Sequence, residues 1–398
     1  MILEFSRELV SDLKAGLERE PPLLQILVGA RQTGKSTAAA QVAARWRGPV
    51  RQASADVPLP PGPEWIEMHW GFARKDAQSK GAPVLLVLDE VQKVRGWSEV
   101  VKAQWDADRR AKCIVHPLLL GSSALLVAKG LTESLAGRFF LHRCTHWSFG
   151  ECHAAFGWDL ERWLFFGGYP GAAAMIEDEE TWRRYVSDSL VETAVARDVL
   201  ALERIGKPAL LRQLFALAAA YPAEILSYTK MLGTLQDAGN TVTLAHYLRL
   251  LEACFLASGL ECLTGRPRQR GSSPKIVVWN NALVAALSGL SFEQARTDGA
   301  FWGRLVENAA GAHLLGHLPS PRFHVGYWRE RNCEVDFVVS AGRQLIGVEV
   351  KSGRPGRLEG LTAFRRRFPS ARALVIGSGG MPLEEFFSEH PTRSLSIG

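Results

Sequence analysis

Residues 29–36 read Gly-Ala-Arg-Gln-Thr-Gly-Lys-Ser, directly after the apolar run LLQILVG (23–29) and close before AAAQVAARW, a strong helix former. A G-x-x-x-x-G-K-[ST] loop between a strand and a helix suits one purpose. Its glycines let backbone N–H groups turn toward phosphate oxygens, and the helix N-terminus adds a favourable dipole. The pattern assigns Gly29, Ala30, Arg31, Gln32, Thr33, Gly34, Lys35, Ser36 and Thr37 to ATP binding. Lys35 is placed to reach the β- and γ-phosphates and Ser36 to ligate Mg²⁺.

A loop of this kind needs a parallel sheet around it, and the rest of the first 150 residues supplies the signals for one. The runs VLLVLDE (84–90) and IVHPLLLGSS (114–123) alternate with helical patterns, which predicts an α/β fold. Each run ends in small or polar residues, where the carboxyl edge of such a sheet holds ligands. Asp89 and Glu90 close the first of these runs, 54 residues after Lys35. There Asp89 is expected to hold Mg²⁺ through a water and Glu90 to orient the attacking water.

Composition narrows the remaining possibilities. With 398 residues, the chain predicts two to three domains. Its hydrophobic fraction of 47% and net charge of +6 are those of an ordinary globular protein with a mild basic bias, which permits a nucleic-acid partner. Six dispersed cysteines form no C-x-x-C pair and match no common zinc spacing, so they read as reduced thiols. The first twenty residues mix charges with apolar residues, unlike a secretory signal. No apolar run approaches the ~18 residues that span a bilayer. A cytoplasmic protein with no membrane partner is expected.

The middle of the chain, 151–290, is predicted helical. Its end has the order of a helix-turn-helix: SYTKMLGTLQ, a turn through 237–240, then a helix that the Thr241 hydroxyl can cap. An apolar stripe of Val242, Ala245, Leu248 and Leu251 leaves His246 and Arg249 facing away. Wing strands over 255–263 and 275–280 would flank a turn carrying Arg266, Arg268 and Arg270. These five basic residues are the candidates for DNA contact. From 291 onward the chain returns to α/β, with a helix over 304–315, strands at 324–328, 334–340, 344–352 and 373–378, and an Arg-rich helix at 358–368.

Taken together, these motifs resemble AAA-type ATPases, specifically a bacterial and archaeal group with a winged-helix region and a restriction-endonuclease-like C-terminal domain. The resemblance implies three domains: a P-loop ATPase (1–150), a helical region with a winged helix (151–290) and the nuclease-like domain (291–398). It places a γ-phosphate sensor on Ser122, with Ser123 as the alternative. Ser134 to Arg138 match a Ser-Leu-Ala-Gly-Arg stretch, so Arg138 is either an arginine finger for a neighbouring subunit in a homo-oligomer or a structural arginine. The stretches at 167–170 (GGYP) and 197–199 (RDV) also match. Asn280-Asn281 stands where the group carries an aspartate before a Gly-Leu pair.

In the C-terminal region Asp336 and Glu349-Val350-Lys351, with twelve residues intervening, match the D…E-x-K pattern of restriction-endonuclease-like folds. That chemistry needs carboxylates converging on Mg²⁺ and a lysine beside the attacking water. Asp336 and Glu349 are the expected ligands, and Glu307 sits where the fold supplies a third carboxylate. The function expected is Mg²⁺-dependent ATP hydrolysis coupled to DNA binding or remodelling, by translocation or branch migration. The alternatives are an ATP-gated DNA nuclease and an ATP-switched DNA-binding regulator.

Overall fold

A computed structural model of the chain describes residues 5–121, 134–199, 205–236, 239–263, 273–353, 356 and 358–397, apart from the side chains of 196–198. The chain folds as two compact units, Met1–Thr145 and His146–Gly398.

The first unit is a five-stranded, all-parallel sheet in the order β2-β3-β4-β1-β5. Its strands are β1 (Leu24–Gly29), β2 (Val50–Ser54), β3 (Val84–Asp89), β4 (Val115–Gly121) and β5 (Phe139–Cys144). The helices are α1 (Glu8–Leu17), α2 (Lys35–Ala44), α3 (Glu64–Lys80) and α4 (Trp97–Ala111). Successive side chains of a strand point to opposite faces, and here both faces are covered. Ile26, Val28, Leu86 and Leu88 pack with Ile66, Trp70 and Trp105 on one side. Leu27, Leu85 and Val87 pack with Leu13, Ala38 and Val42 on the other. Asp108, buried between α3 and α4, accepts hydrogen bonds from Trp70 Nε1 (2.6 Å) and Arg74 Nε (2.5 Å).

The second unit opens with α5 (Phe149–Phe156), α6 (Leu160–Phe166) and α7 (Glu179–Arg184), followed by wide turns over Tyr185–Val191 and Ala194–Val199. Three helices follow: α8 (Pro208–Ala220), α9 (Tyr228–Thr234) and α10 (Thr241–Ala253). The cap of α10 is Asn240, not Thr241. Its side chain accepts from Thr243 N at 2.9 Å. The buried face of α10 is Leu244, Tyr247, Leu248, Leu250 and Leu251. Val242 is 72% exposed, so the stripe expected through it is rotated. An antiparallel pair, β6 (Ala257–Leu260) and β7 (Lys275–Val278), follows α10, and Ile225 bridges to Lys275.

Helices α11 (Asn281–Ser288), α12 (Phe292–Thr297) and α13 (Gly299–His317) lead into a mixed sheet ordered β11-β10-β9-β8. Its strands are β8 (Phe323–Glu330), β9 (Cys333–Ala341), β10 (Gln344–Lys351) and β11 (Arg372–Gly377), with α14 (Glu359–Arg367) crossing between the parallel pair β10 and β11.

Buried asparagines tie α13 to these elements. Asn308 Nδ2 donates to Val278 O and to Asn281 Oδ1, both at 2.8 Å, and its Oδ1 accepts from Val278 N at 2.9 Å. Asn281 Nδ2 donates to Leu164 O (2.7 Å) and Leu305 O (2.9 Å). Asn280 works in the opposite sense: its Oδ1 accepts from Gly168 N (3.2 Å) and Ala282 N (3.0 Å), while its buried Nδ2 has no partner. The two positions therefore differ in what they tolerate. Asn281→Asp replaces a donor by a carboxylate facing two carbonyls and is expected to cost about 2–4 kcal/mol, read as a lowered denaturant midpoint. Asn280→Asp keeps both accepted bonds and is expected to stay within about 1 kcal/mol of wild type. Equal losses at the two positions would contradict this arrangement.

Candidate functional site: a phosphate loop and a lysine-centred acidic cluster

The loop between β1 and α2 has its conformation imposed from several sides. A Cβ on Gly29 would lie 2.1 Å from Cys144 O of β5, so only glycine fits. Gly34 sits at φ +94°, in the left-handed region that favours glycine, and Gln32 at φ +58° adds a second such turn. Thr33 is fully buried and its hydroxyl donates to Ala30 O at 2.9 Å. Arg7, just ahead of α1, reaches in with Nη1 to Thr33 O (3.1 Å), Cys144 Sγ (3.2 Å) and Thr145 O (3.2 Å). Sequence reasoning missed Arg7, since nothing in its local pattern announces a partner 26 residues away.

Lys35 is buried, and its ammonium donates to Gly29 O (3.0 Å) and Ala30 O (2.6 Å), curled over the loop it serves. Arg31 and Thr37 are half-buried, and Gln32 and Ser36 are exposed. Ser36 Oγ donates to Asp89 Oδ2 at 2.8 Å, joining the first turn of α2 to the end of β3. Asp89 Oδ1 accepts from Glu90 N at 2.8 Å. Glu90 lies at φ +54° and takes a hydrogen bond from Gln92 Nε2 at 2.8 Å. Burial, and then the Asp89 charge, push the Glu90 carboxyl above its usual range. A hydroxyl and a carboxylate meeting beside a buried ammonium form a set of hard oxygen donors that fits Mg²⁺.

Residues 22–153 match the AAA domain family. Those residues form a P-loop domain of the AAA type, and the chain is an ATPase. Residues 157–294 and 302–387 of the ATPase match two further families, each described as a domain of unknown function (DUF8612 and DUF4143). An uncharacterized protein of Haemophilus influenzae is 22% identical over 356 residues, covering 83% of each chain. Among solved structures, the Walker-type ATPase of Pyrococcus abyssi is similar at 16% identity and a TM-score of 0.47, over 71% of this chain and 95% of its own. AMPPCP-bound DnaA of Aquifex aeolicus is similar at 15% identity and a TM-score of 0.31, over 62% and 86% respectively. No described helix is long and apolar enough to cross a membrane.

Other expected site residues stand apart from the loop. Ser122 and Ser123 lie outside the described residues, as do Arg266, Arg268 and Arg270. Arg138 is gripped by Asp106 of α4 through two bonds, Nε to Oδ1 at 2.9 Å and Nη2 to Oδ2 at 3.2 Å. Its carbonyl accepts from Leu24 N, which places it at the start of β1, the end opposite the phosphate loop. Arg138 thus does not attend its own chain's loop. On α10, Arg249 is exposed and His246 half-buried.

In the second unit Glu307, Asp336, Glu349 and Lys351 come together. Among the described residues no group of three His, Cys, Asp or Glu side chains is arranged to hold a metal ion. Lys275 stands among the carboxylates, its ammonium 2.5 Å from Glu307 Oε1, 3.3 Å from Glu334 Oε1 and 3.7 Å from Asp336 Oδ1. Asp336 Oδ2 accepts from Val350 N at 2.8 Å, and Lys351 Nζ pairs with Glu349 Oε1 at 2.6 Å. Glu349 Oε2 is buried without a partner. Burial pushes the Glu307 carboxyl up to about 7 against the pull of Lys275.

The Arg7 clamp carries a prediction for the ATPase. Arg7→Ala removes charge-assisted bonds to the loop backbone and is expected to weaken nucleotide binding by about one to two orders of magnitude, with Arg7→Lys intermediate. Fluorescent-nucleotide titration measures this, and an affinity within twofold of wild type would exclude a positioning role.

Proposed function

We propose that the chain hydrolyses ATP with Mg²⁺ and couples turnover to binding or remodelling of DNA. The observation that carries the hydrolytic part is the Ser36–Asp89 hydrogen bond, which brings the two expected cation-holding oxygens together. Mg²⁺ there would neutralise charge on the β- and γ-phosphate oxygens. Lys35 exchanges its carbonyl acceptors for phosphate oxygens, a charge-assisted and stronger bond. Glu90, turned off the strand by its left-handed backbone, orients the attacking water and takes its proton.

The DNA part rests on the order of elements in the second unit. Three helices, α8 to α10, followed by the antiparallel β6–β7 pair, have the succession of a winged helix, with Arg249 and Val242 exposed on α10. The succession α13, β8, β9, β10, α14, β11 is that of a restriction-endonuclease-like core, and α14 ends in Arg365, Arg366 and Arg367. A homo-oligomer remains the setting in which Arg138 would act, by exchanging Asp106 for a neighbour's nucleotide.

Lys35→Ala is expected to abolish nucleotide binding, whereas Glu90→Gln should bind ATP and turn over at most a hundredth as fast, on the order of a lost general base. Wild-type turnover by Glu90→Gln would remove Glu90 from the mechanism. The acid limb of the wild-type pH–rate profile should lie above the ordinary carboxylate range, because protonated Glu90 cannot accept a proton. Gln92→Ala, which deletes a donor to the ionised form, should move that limb further up.

DNA affinity should fall steeply with salt through counterion release, and Arg249→Ala should weaken it about uniformly across sequences. Affinity that is flat between low and moderate salt would count against a phosphate-reading surface.

A further inference from the structure

Lys275 is the first residue of β7, so its backbone belongs to the hairpin that follows α10, yet its side chain is 1% exposed. It ends among Glu307 of α13 and Glu334 and Asp336 of β9, and its ammonium lies 5.1 Å from the centre of the Phe337 ring. A buried ammonium costs several kcal/mol unless it is paired and hydrogen-bonded. This one has three N–H donors and three carboxylates around it.

A divalent ion bound by the same residues would have to take Glu307 and Asp336 oxygens at about 2.0–2.1 Å. The ammonium, 2.5 Å and 3.7 Å from those oxygens, would then be its immediate like-charged neighbour. Among the buried oxygens of the cluster, Glu349 Oε2 has no partner, and one oxygen does not supply the near-octahedral set that Mg²⁺ requires.

We propose that Lys275 is the resident cation of this cluster: the ammonium stands where the carboxylates would otherwise gather a metal ion. The second unit is therefore a metal-free module with its hairpin anchored into its sheet. It is not built for metal-dependent cutting of a phosphodiester. The inference is independent of the ATPase reading, because its test uses no nucleotide and silences the cation locus of the first unit.

The test is Mn²⁺ binding to the full, nucleotide-free chain carrying Asp89→Asn, followed by the loss of the free-ion electron paramagnetic resonance signal. With Lys275 present, adding Asp336→Asn is expected to change nothing. Lys275→Met in the same background frees the carboxylates and is expected to gain one Mn²⁺ per chain, lost again with Asp336→Asn. A site in the Lys275-bearing protein that Asp336→Asn removes would overturn the proposal. So would a folded Lys275→Met protein, by circular dichroism, that gains no site. Should Lys275→Met fail to fold, the Lys275-bearing pair alone decides between the two.

Discussion

Taking an ammonium out of water is among the costliest things a fold does, and what surrounds the ion afterwards decides what it can be used for. Both units bury a lysine, and they compensate it differently. The hydrogen bonds of Lys35 go to the carbonyls of Gly29 and Ala30. Carbonyls are neutral, so these two bonds solvate the ammonium with dipoles and leave it able to exchange them for phosphate oxygens. Lys275 is met by three carboxylates. Its charge is more than cancelled, and its field on an incoming anion is spent. The first lysine is poised for a ligand, and the second acts as a ligand to its own protein.

The surroundings of Lys35 follow from that requirement. Its carbonyl partners must point inward, which a regular strand or helix would not allow. The close approach of Gly29 to Cys144 O fixes the start of the loop against β5, and the left-handed turns at Gln32 and Gly34 carry the rest of it into α2. Arg7 holds the far side through Thr33 O. A loop restrained at both ends loses little entropy when phosphate binds, which favours affinity without added contacts.

How much of this was legible in the sequence depended on where each strand sits in its sheet. The central strands β1, β3 and β4 are buried on both faces and read as continuous apolar runs, so they were visible. The edge strands β2 and β5 were not. VRQAS alternates exposed and half-buried residues, and FFLHRC carries His142, a polar residue that is buried because its ring meets Gln25 Oε1 at 2.8 Å, with its pKa pulled down to about 4 by burial. The phosphate loop was legible because its chemistry is local: nine consecutive residues carry it. The acidic cluster was only half legible. Spacing placed Glu307, Asp336, Glu349 and Lys351 together, but their counter-ion sits 32 residues before Glu307, at the start of an apolar strand where a lysine reads as a solvated strand end.

The glycine-rich stretch 167–170, which had no chemistry to assign from sequence, gains a physical account from the same long-range logic. Gly167 lies at φ +69° and a Cβ there would be 1.9 Å from Asn280 Oδ1. A Cβ on Gly168 would be 2.1 Å from Trp147 O. These two positions are glycine because two other segments come too close for any side chain. The same turn presents Gly168 N to Asn280 Oδ1, so the residue at 280 is chosen for an acceptor oxygen, which aspartate and asparagine supply alike. At 281 the requirement is a donor, and only the amide meets it. An asparagine in place of an aspartate at 280 is thus a change of charge without a change of hydrogen-bonding sense. The turn's work is to join α6, α11 and α13, a task of packing and acceptor geometry.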